Sequence, residues 1–443
     1  MRITKSIFII YILLKSVVLQ SQTATSNTSF NKQKLDKYFS VLEANNKFMG
    51  GVALYKKGKI IYSNQVGFLD VETKKEPNKN TKYRIGSISK MFTAAIIFKA
   101  IEQNKISLGS KLSKFFPSIE NANLITIEML LNHRSGIHNF TNNLDYLSYN
   151  TKPKSQKEML SIIASKKNDF SPNSKASYSN SNYVLLSYIL ERLYKKSYKN
   201  ILQEQIINPL SLENTYFGSI ININNNESNS YRFLGEWQKQ TETDTSIPMG
   251  AGGIVSTPKD LITFSNALFN NKIVAKESLK QMMTLKDRYG MGLFKIPFDN
   301  KFSYGHTGGI DGFSSVLGYF VDESSAFSII SNGNNYNNNK IAITLLSALF
   351  NKPYKIPDFK TFTPQSLDSY IGTYKNNQLS LTLNISQKNN SLIAQIKGQP
   401  KFSLEAVSKD TFEFKTAGVV LVFNTKNKTV SLQQNGGSYL FKK

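Results

Sequence analysis

Strand-like segments lie at both ends of residues 33–350, and helical segments fill the stretch between them. Near the start, residues 33–46 carry helical periodicity, with Leu35, Tyr38, Phe39 and Leu42 on one face. Two strands follow, Gly51 to Tyr55 and Lys59 to Gly67, joined by a turn at Lys56-Lys57-Gly58. At the far end come Ser303 to Thr307, Ser314 to Val321 and Ser325 to Ser331, then a last helix from Lys340 to Phe350. The middle, about residues 105–290, includes Ile127 to Leu131, the apolar helix Tyr183 to Leu193, and a helix opened by Thr257-Pro258-Lys259-Asp260. One sheet built from both chain ends, with helices from the middle, is the arrangement this order suggests. The pattern therefore predicts an α+β fold: an antiparallel sheet flanked by helices, with an all-helical subdomain supplied by the middle.

Composition shifts at residues 353–364, a linker with Pro353, Pro357 and Pro364. Beyond it the pattern is strands only: Leu379 to Ile385, Leu392 to Gln395, Phe402 to Val407, Thr411 to Phe414, Val419 to Phe423, Thr429 to Gln433 and Tyr439 to Phe441. Short strands with tight turns predict a small β-barrel or sandwich over residues 365–443. No nucleophile, base or metal cluster stands out there, so the expectation is a contact domain dispensable for chemistry.

At the N-terminus Arg2 and Lys5 precede the apolar run Ile7 to Leu14, too short to span a bilayer. Residues 1–24 are expected to be an export signal, cut near Gln20 to Ala24, which places the protein in the periplasm or outside the cell with no membrane span in its mature form. The chain has no cysteine, which excludes disulfides, thiol catalysis and thiolate metal sites. Its histidines, His133, His138 and His306, match no helical zinc pattern, and no metal or other cofactor is indicated. The formal charge of +25 comes mostly from lysines scattered among asparagines. That is compositional drift, not a nucleic-acid-binding stripe.

Chemistry is concentrated in a few short segments. In Arg84-Ile85-Gly86-Ser87-Ile88-Ser89-Lys90, followed by an apolar run of helical length, Ser87 and Lys90 lie three apart. On a helix such positions share a face, about 5–6 Å apart at Cβ, so the lysine can reach the hydroxyl. A serine becomes a useful nucleophile only when a neighbour takes its proton. Ser29 and Ser256 have the same spacing to Lys32 and Lys259, but Ser29 lies in a polar segment and Pro258 interrupts the other. On local pattern alone Ser87 reads as a helix-capping serine. Tyr178-Ser179-Asn180 precedes an apolar helix. A tyrosine beside a lysine can act as a base, and an asparagine can hold a substrate amide. Tyr-x-Asn by itself carries little information in so Asn-rich a chain. Tyr304-Gly305-His306-Thr307-Gly308-Gly309 supplies small residues that let a substrate backbone approach a strand, and alone it reads as a Gly-rich hairpin.

Together and in this order, Ser87-x-x-Lys90, Tyr178-x-Asn180 and His306-Thr307-Gly308 resemble the Ser-x-x-Lys, Tyr-x-Asn and Lys/His-Thr-Gly triplet of class C β-lactamases, D-Ala-D-Ala peptidases and related penicillin-recognising serine hydrolases. Leu130 to Ile137 and Gly252 to Leu261 look similar too, and the resemblance covers about residues 33–350. It implies that Ser87 attacks a carbonyl, that Lys90 and Tyr178 jointly handle its proton, and that Asn180 orients the acyl amide. It also implies an oxyanion hole from the N–H groups of Ser87 and Gly309, and a substrate-pairing strand lined by His306, Thr307 and Gly308. Two departures matter. Efficient class C β-lactamases carry lysine where this chain has His306, so the expected charge there is titratable near neutral pH. Gly309 brings no hydroxyl to hold a C-terminal carboxylate. The expected substrate is a D-amino-acid peptide, amide or small ester, peptidoglycan-derived ones included. A carboxylesterase and a non-catalytic cell-envelope binding protein are the alternatives.

Overall fold

The computed structural model describes residues 30–443 apart from 360, 361 and 363, so the expected export signal lies outside the described residues. Strands β1 (Phe48–Lys56) and β2 (Lys59–Val66) form a hairpin from one chain end. Strands β3 (Phe294–Phe298), β4 (Lys301–Ile310), β5 (Phe313–Phe320) and β6 (Ser325–Asn334) form an antiparallel meander from the other. β1 pairs antiparallel with β6, Val52 opposite Ile329, which closes the order β2-β1-β6-β5-β4-β3. The expected α+β sheet built from both ends is what forms. A short hairpin, Tyr231–Phe233 with Trp237–Lys239, touches β6 at Gly333.

The sheet is covered on both faces by helices α1 (Lys32–Ala44), α2 (Ser89–Glu102), α4 (Pro258–Phe269) and α5 (Asn338–Leu349), while α3 (Asn180–Tyr194) belongs to the helical middle. Alternate residues of β1 go to opposite cores. Val52 and Leu54 pack with Leu35, Phe39, Ile341 and Leu345 of α1 and α5. Ala53 and Tyr55 face the cluster that contains α2 and α4. That double coverage is why β1 is buried at every position but its last instead of alternating. Asn31, Thr257 and Asn337 cap α1, α4 and α5 with their side chains, each accepting a first-turn N–H. α2 is apolar nearly all round and is correspondingly buried between the sheet and α3. Phe92 stacks on Phe264 of α4 with ring centroids 3.6 Å apart.

The C-terminal region is a closed eight-stranded antiparallel barrel, β7 (Gly372–Asn376), β8 (Leu381–Lys388), β9 (Ser391–Ile396), β10 (Phe402–Ser408), β11 (Thr411–Phe414), β12 (Val419–Asn424), β13 (Thr429–Gln434) and β14 (Gly437–Lys442). Closure is made by β7 against β14, Lys375 opposite Lys442. The sequence pattern yields only seven of these strands. β7 escapes it because Tyr374 is its one apolar residue, so no alternation is visible. The barrel has its own core, built around residues such as Leu383, Leu404, Phe412 and Leu421. It is tied to the sheet unit by ion pairs between Lys47 and Glu405 and, at 2.8 Å, between Lys388 and Glu236.

Candidate active site

Ser87 stands in a 3₁₀ turn, Gly86–Ile88, that runs directly into α2. The turn begins with Gly86 at φ +50°, a conformation that favours glycine, and a Cβ there would lie 2.8 Å from the Gly309 nitrogen. One turn on, Lys90 is completely buried. Its Nζ lies 2.9 Å from Ser87 Oγ, 2.8 Å from Asn180 Oδ1 and 2.7 Å from the Ala251 carbonyl oxygen. None of these partners carries a charge. Burial accordingly holds the Lys90 amine well below the ordinary lysine range. The Tyr178 and Tyr183 rings, 4.9 and 5.6 Å from Nζ, favour the cation. A ring contact is worth about 2 kcal/mol when desolvated, against several kcal/mol for removing an ammonium from water. Desolvation outweighs the ring contacts, so the site lowers the lysine's hold on its third proton relative to water.

Tyr178 is brought in by the chain just before α3, and its hydroxyl donates to Ser87 Oγ at 2.7 Å. Burial pushes this phenol above its ordinary range, partly offset by the hydrogen bond to Ser87. The ring is packed by His133, with centroids 4.5 Å apart, and by Phe294 and His306 beyond. His133 was not identifiable from spacing. It sits at φ +60° in the Leu130–Ile137 segment and accepts the Ser179 N–H at Nδ1, which ties the Tyr178 loop down. Its ring is held far below the ordinary imidazole range by burial first, then by Lys90 and His306, so it packs as a neutral group. Asn180, the first residue of α3, uses Oδ1 on Lys90 and Nδ2 on Thr141 Oγ1 at 3.2 Å.

Gly308 and Gly309 continue strand β4 instead of forming a loop. A Cβ on Gly308 would fall 2.1 Å from the Ile85 oxygen and 3.1 Å from the Ser87 nitrogen, so only glycine lets β4 lie against the nucleophile turn. The Ser87 and Gly309 amides are thereby brought side by side, and both residues line one cleft of about 870 Å³ with Asn180. Thr307 is exposed on this edge. His306 differs from expectation. Strand alternation turns its ring inward, where it is 2 % exposed and 4.3 Å from the Phe294 ring. Burial, with Lys90 nearby, lowers its pKa from 6.5 to about 3, so it offers a substrate no charge near neutral pH. The distal wall is braced by buried Arg84, which reaches Asp311 and Glu242 at 3.2 Å each.

Ser256, the rival with a lysine three residues on, is fully buried with its hydroxyl on Thr215 Oγ1, and Ser29 lies outside the described residues. A second departure concerns the barrel. Gln395, Gly398, Gln399 and Pro400, from the end of β9 and the turn into β10, line the same cleft as Ser87. The barrel is therefore part of the cleft wall and not a remote appendage. Sequence reasoning missed this because a turn's position on another domain leaves no mark in its residues.

A buried lysine and a tyrosine converging on a serine at a helix start, on a helix-flanked antiparallel sheet, define a serine hydrolase of the penicillin-recognising kind. The profile described as Beta-lactamase matches residues 35–351, and the chain belongs to that family. A second profile, Domain of unknown function (DUF3471), matches residues 357–435. Penicillin-binding protein 4* of Bacillus subtilis (strain 168) is 24% identical over 432 residues, covering 89% of this chain and 94% of that protein. Teichoic acid D-alanine hydrolase of Staphylococcus aureus (strain NCTC 8325 / PS 47) is 28% identical over 291 residues, covering 62% of this chain and 68% of that protein. Among solved structures, D-amino acid amidase from Ochrobactrum anthropi SV3 superposes with a TM-score of 0.64 at 24% identity, covering 72% of this chain and 99% of that one. At that identity the likeness speaks to the fold. Among the described residues no helix is long and apolar enough to cross a membrane.

Proposed function

We propose that this serine hydrolase acts through an acyl-enzyme on Ser87, with small esters and amides of D-amino acids as substrates. The observation that carries the reading is Ser87 Oγ held between Lys90 Nζ at 2.9 Å and Tyr178 Oη at 2.7 Å. As Oγ bonds to the substrate carbonyl carbon, its proton passes to the neutral Lys90 amine. Charge on the carbonyl oxygen is taken by the Ser87 and Gly309 N–H groups. The proton then moves through Tyr178 to the leaving nitrogen or oxygen as that bond breaks. Water attacks the acyl-enzyme with the proton flow reversed. Asn180 positions the acyl group, and Thr307 and Gly308 line the strand along which substrate lies.

The neutral His306 and the missing hydroxyl at Gly309 favour substrates without a free carboxylate at that place. Amides and esters therefore fit better than the D-Ala-D-Ala terminus of peptidoglycan. The name of one relative, a teichoic acid D-alanine hydrolase, points the same way. Export by an N-terminal signal over residues 1–24 is part of the proposal. Incubation with a fluorophosphonate should give one adduct, on Ser87, and turnover of D-alanyl esters and D-phenylalanine amide should exceed that of the L-isomers. Hydrolysis that survives Ser87→Ala, or an adduct on another serine, would overturn the assignment. A lack of adduct with every acylating probe would favour the binding-protein alternative.

A further inference from the structure

The catalytic cleft does not end at its own wall. A second chamber of about 450 Å³ lies between the barrel and the sheet unit. Arg232, Asp311, Phe313, Gln399 and Pro400 line both spaces, so the two are continuous. The barrel side of the chamber is its apolar end, with Ile396, Phe402, Phe414, Val419 and Leu432. Ile396, Phe402 and Phe414 sit at the margin of the barrel core, half-buried, with Phe402 stacked on Phe414 at 4.7 Å. Tyr231, Phe233 and Phe313 face them from the sheet unit. The Thr416 hydroxyl in this lining is buried without a hydrogen-bond partner. At the junction Asp311 is already engaged by Arg84, which leaves its carboxylate matched and not facing an apolar guest alone.

Resting on the function proposed above, we infer that this chamber receives an apolar tail on the acyl side of the substrate. The direction follows from which residues border the continuing space. Asn180 and Gly309, assigned to the acyl group and the oxyanion, line the cleft that opens into the chamber. Tyr178, assigned to the leaving group and bonded to Ser87 Oγ at 2.7 Å, does not line that cleft. The barrel end of the chamber is apolar, while Arg232, Asn334, Asn335, Asn338 and Gln434 bring polar groups to the rest of its lining. A cavity of this size with one apolar end suits a fatty-acyl or aryl chain. The ion pairs of Lys47 with Glu405 and of Lys388 with Glu236 hold the barrel over the sheet unit, so the chamber is a built space between them.

The test is the kcat/KM series of full-length protein on p-nitrophenyl esters from acetyl to decanoyl. A fully buried methylene is worth about fourfold in binding, so once the chain passes Phe313 the octanoyl-to-acetyl ratio should exceed about tenfold. Ala417→Trp, which fills the chamber from an exposed turn, should bring that ratio to near one. Ile396→Asp, which places a carboxylate among the apolar groups, should do the same, with melting curves checking that each variant folds. Acetyl-ester turnover and fluorophosphonate labelling report the catalytic reading separately. If both are absent in the wild type, that reading falls and the chamber assignment with it. If both are present but the wild-type series is flat, or a folded variant keeps the wild-type ratio, the chamber does not take the acyl tail while the catalytic reading stands.

Discussion

Gly308→Ala puts the smallest possible strain on the contact that assembles the site. The added Cβ would lie 2.1 Å from the Ile85 oxygen and 2.3 Å from Ser315 Oγ. Ser315 Oγ itself donates to that same Ile85 oxygen at 2.8 Å, so neither neighbour is the loose end of a flexible side chain. Ordinary contact needs more than 3.4 Å, which forces strand β4 and the turn before Ser87 apart by about 1 Å or more. Overpacking of this kind costs about 1–3 kcal/mol of stability. The catalytic penalty should be larger than that suggests. An oxyanion donor works only at about 2.7–3.1 Å, and losing one lowers kcat by about 10²–10³-fold. Gly309→Ala is the control. Its Cβ would meet only the Phe313 oxygen, at 3.9 Å, so the protein itself is not strained and melting should be nearly unchanged. Acylation rates from stopped-flow ester hydrolysis and melting temperatures for both variants make the comparison. A folded Gly308→Ala protein that acylates within threefold of wild type, or a Gly309→Ala protein destabilised to the same extent, would refute the close-approach argument.

In the proposed reaction acylation needs Lys90 neutral, and burial holds its pKa well below 10.5. The protonated form dominates at low pH, so kcat/KM on a neutral ester should rise with pH through the folded pKa and level off before the ordinary lysine range. A pH–rate profile that still climbs at that range would contradict a neutral resting amine. His306 is neutral in the folded protein down to about pH 3 but protonates near 6.5 when unfolded. Stability should thus be complete above about pH 6.5 and fall as pH drops toward 3, with His133 adding to the same trend, by a few kcal/mol in all. Replacing His306 by Phe should shrink that slope in melting curves taken across the window. His306→Lys would bury an ammonium beside Lys90, and should lower the melting temperature instead of raising activity on carboxylate-bearing β-lactams relative to neutral esters. Glu405→Ala leaves Lys47, buried in the interface, without its carboxylate, and should weaken barrel docking by at most about 3 kcal/mol. Faster proteolysis in residues 353–364, with the sheet unit still melting cooperatively, is the expected signature.

Periodicity alone was enough to place most of the strands and the main helices, because apolar residues at intervals of two or about 3.6 are what each element needs to bury one face. The sheet from both chain ends followed from the order of strands and helices along the chain. The spacing of Ser87 and Lys90 was legible for the same local reason, since three residues on a helix fix a distance. What put Tyr178 and Asn180 on that pair was the resemblance of the motif order to the penicillin-recognising serine hydrolases, not their own residues, which recur throughout an Asn-rich chain. Local pattern failed where contacts decide. The inward turn of His306 depends on which face of β4 meets the core, and its lost charge on the desolvation that follows. His133 matters through the ring it supports, a relation between segments about 45 residues apart in chain order. The barrel turn at Gly398 to Pro400 reaches the Ser87 cleft from another domain, across an interface that also carries the Lys47–Glu405 and Lys388–Glu236 pairs. A sequence determines local geometry through short-range sterics and burial patterns. Burial depth, pKa and cleft boundaries belong to atoms that only the folded chain brings together.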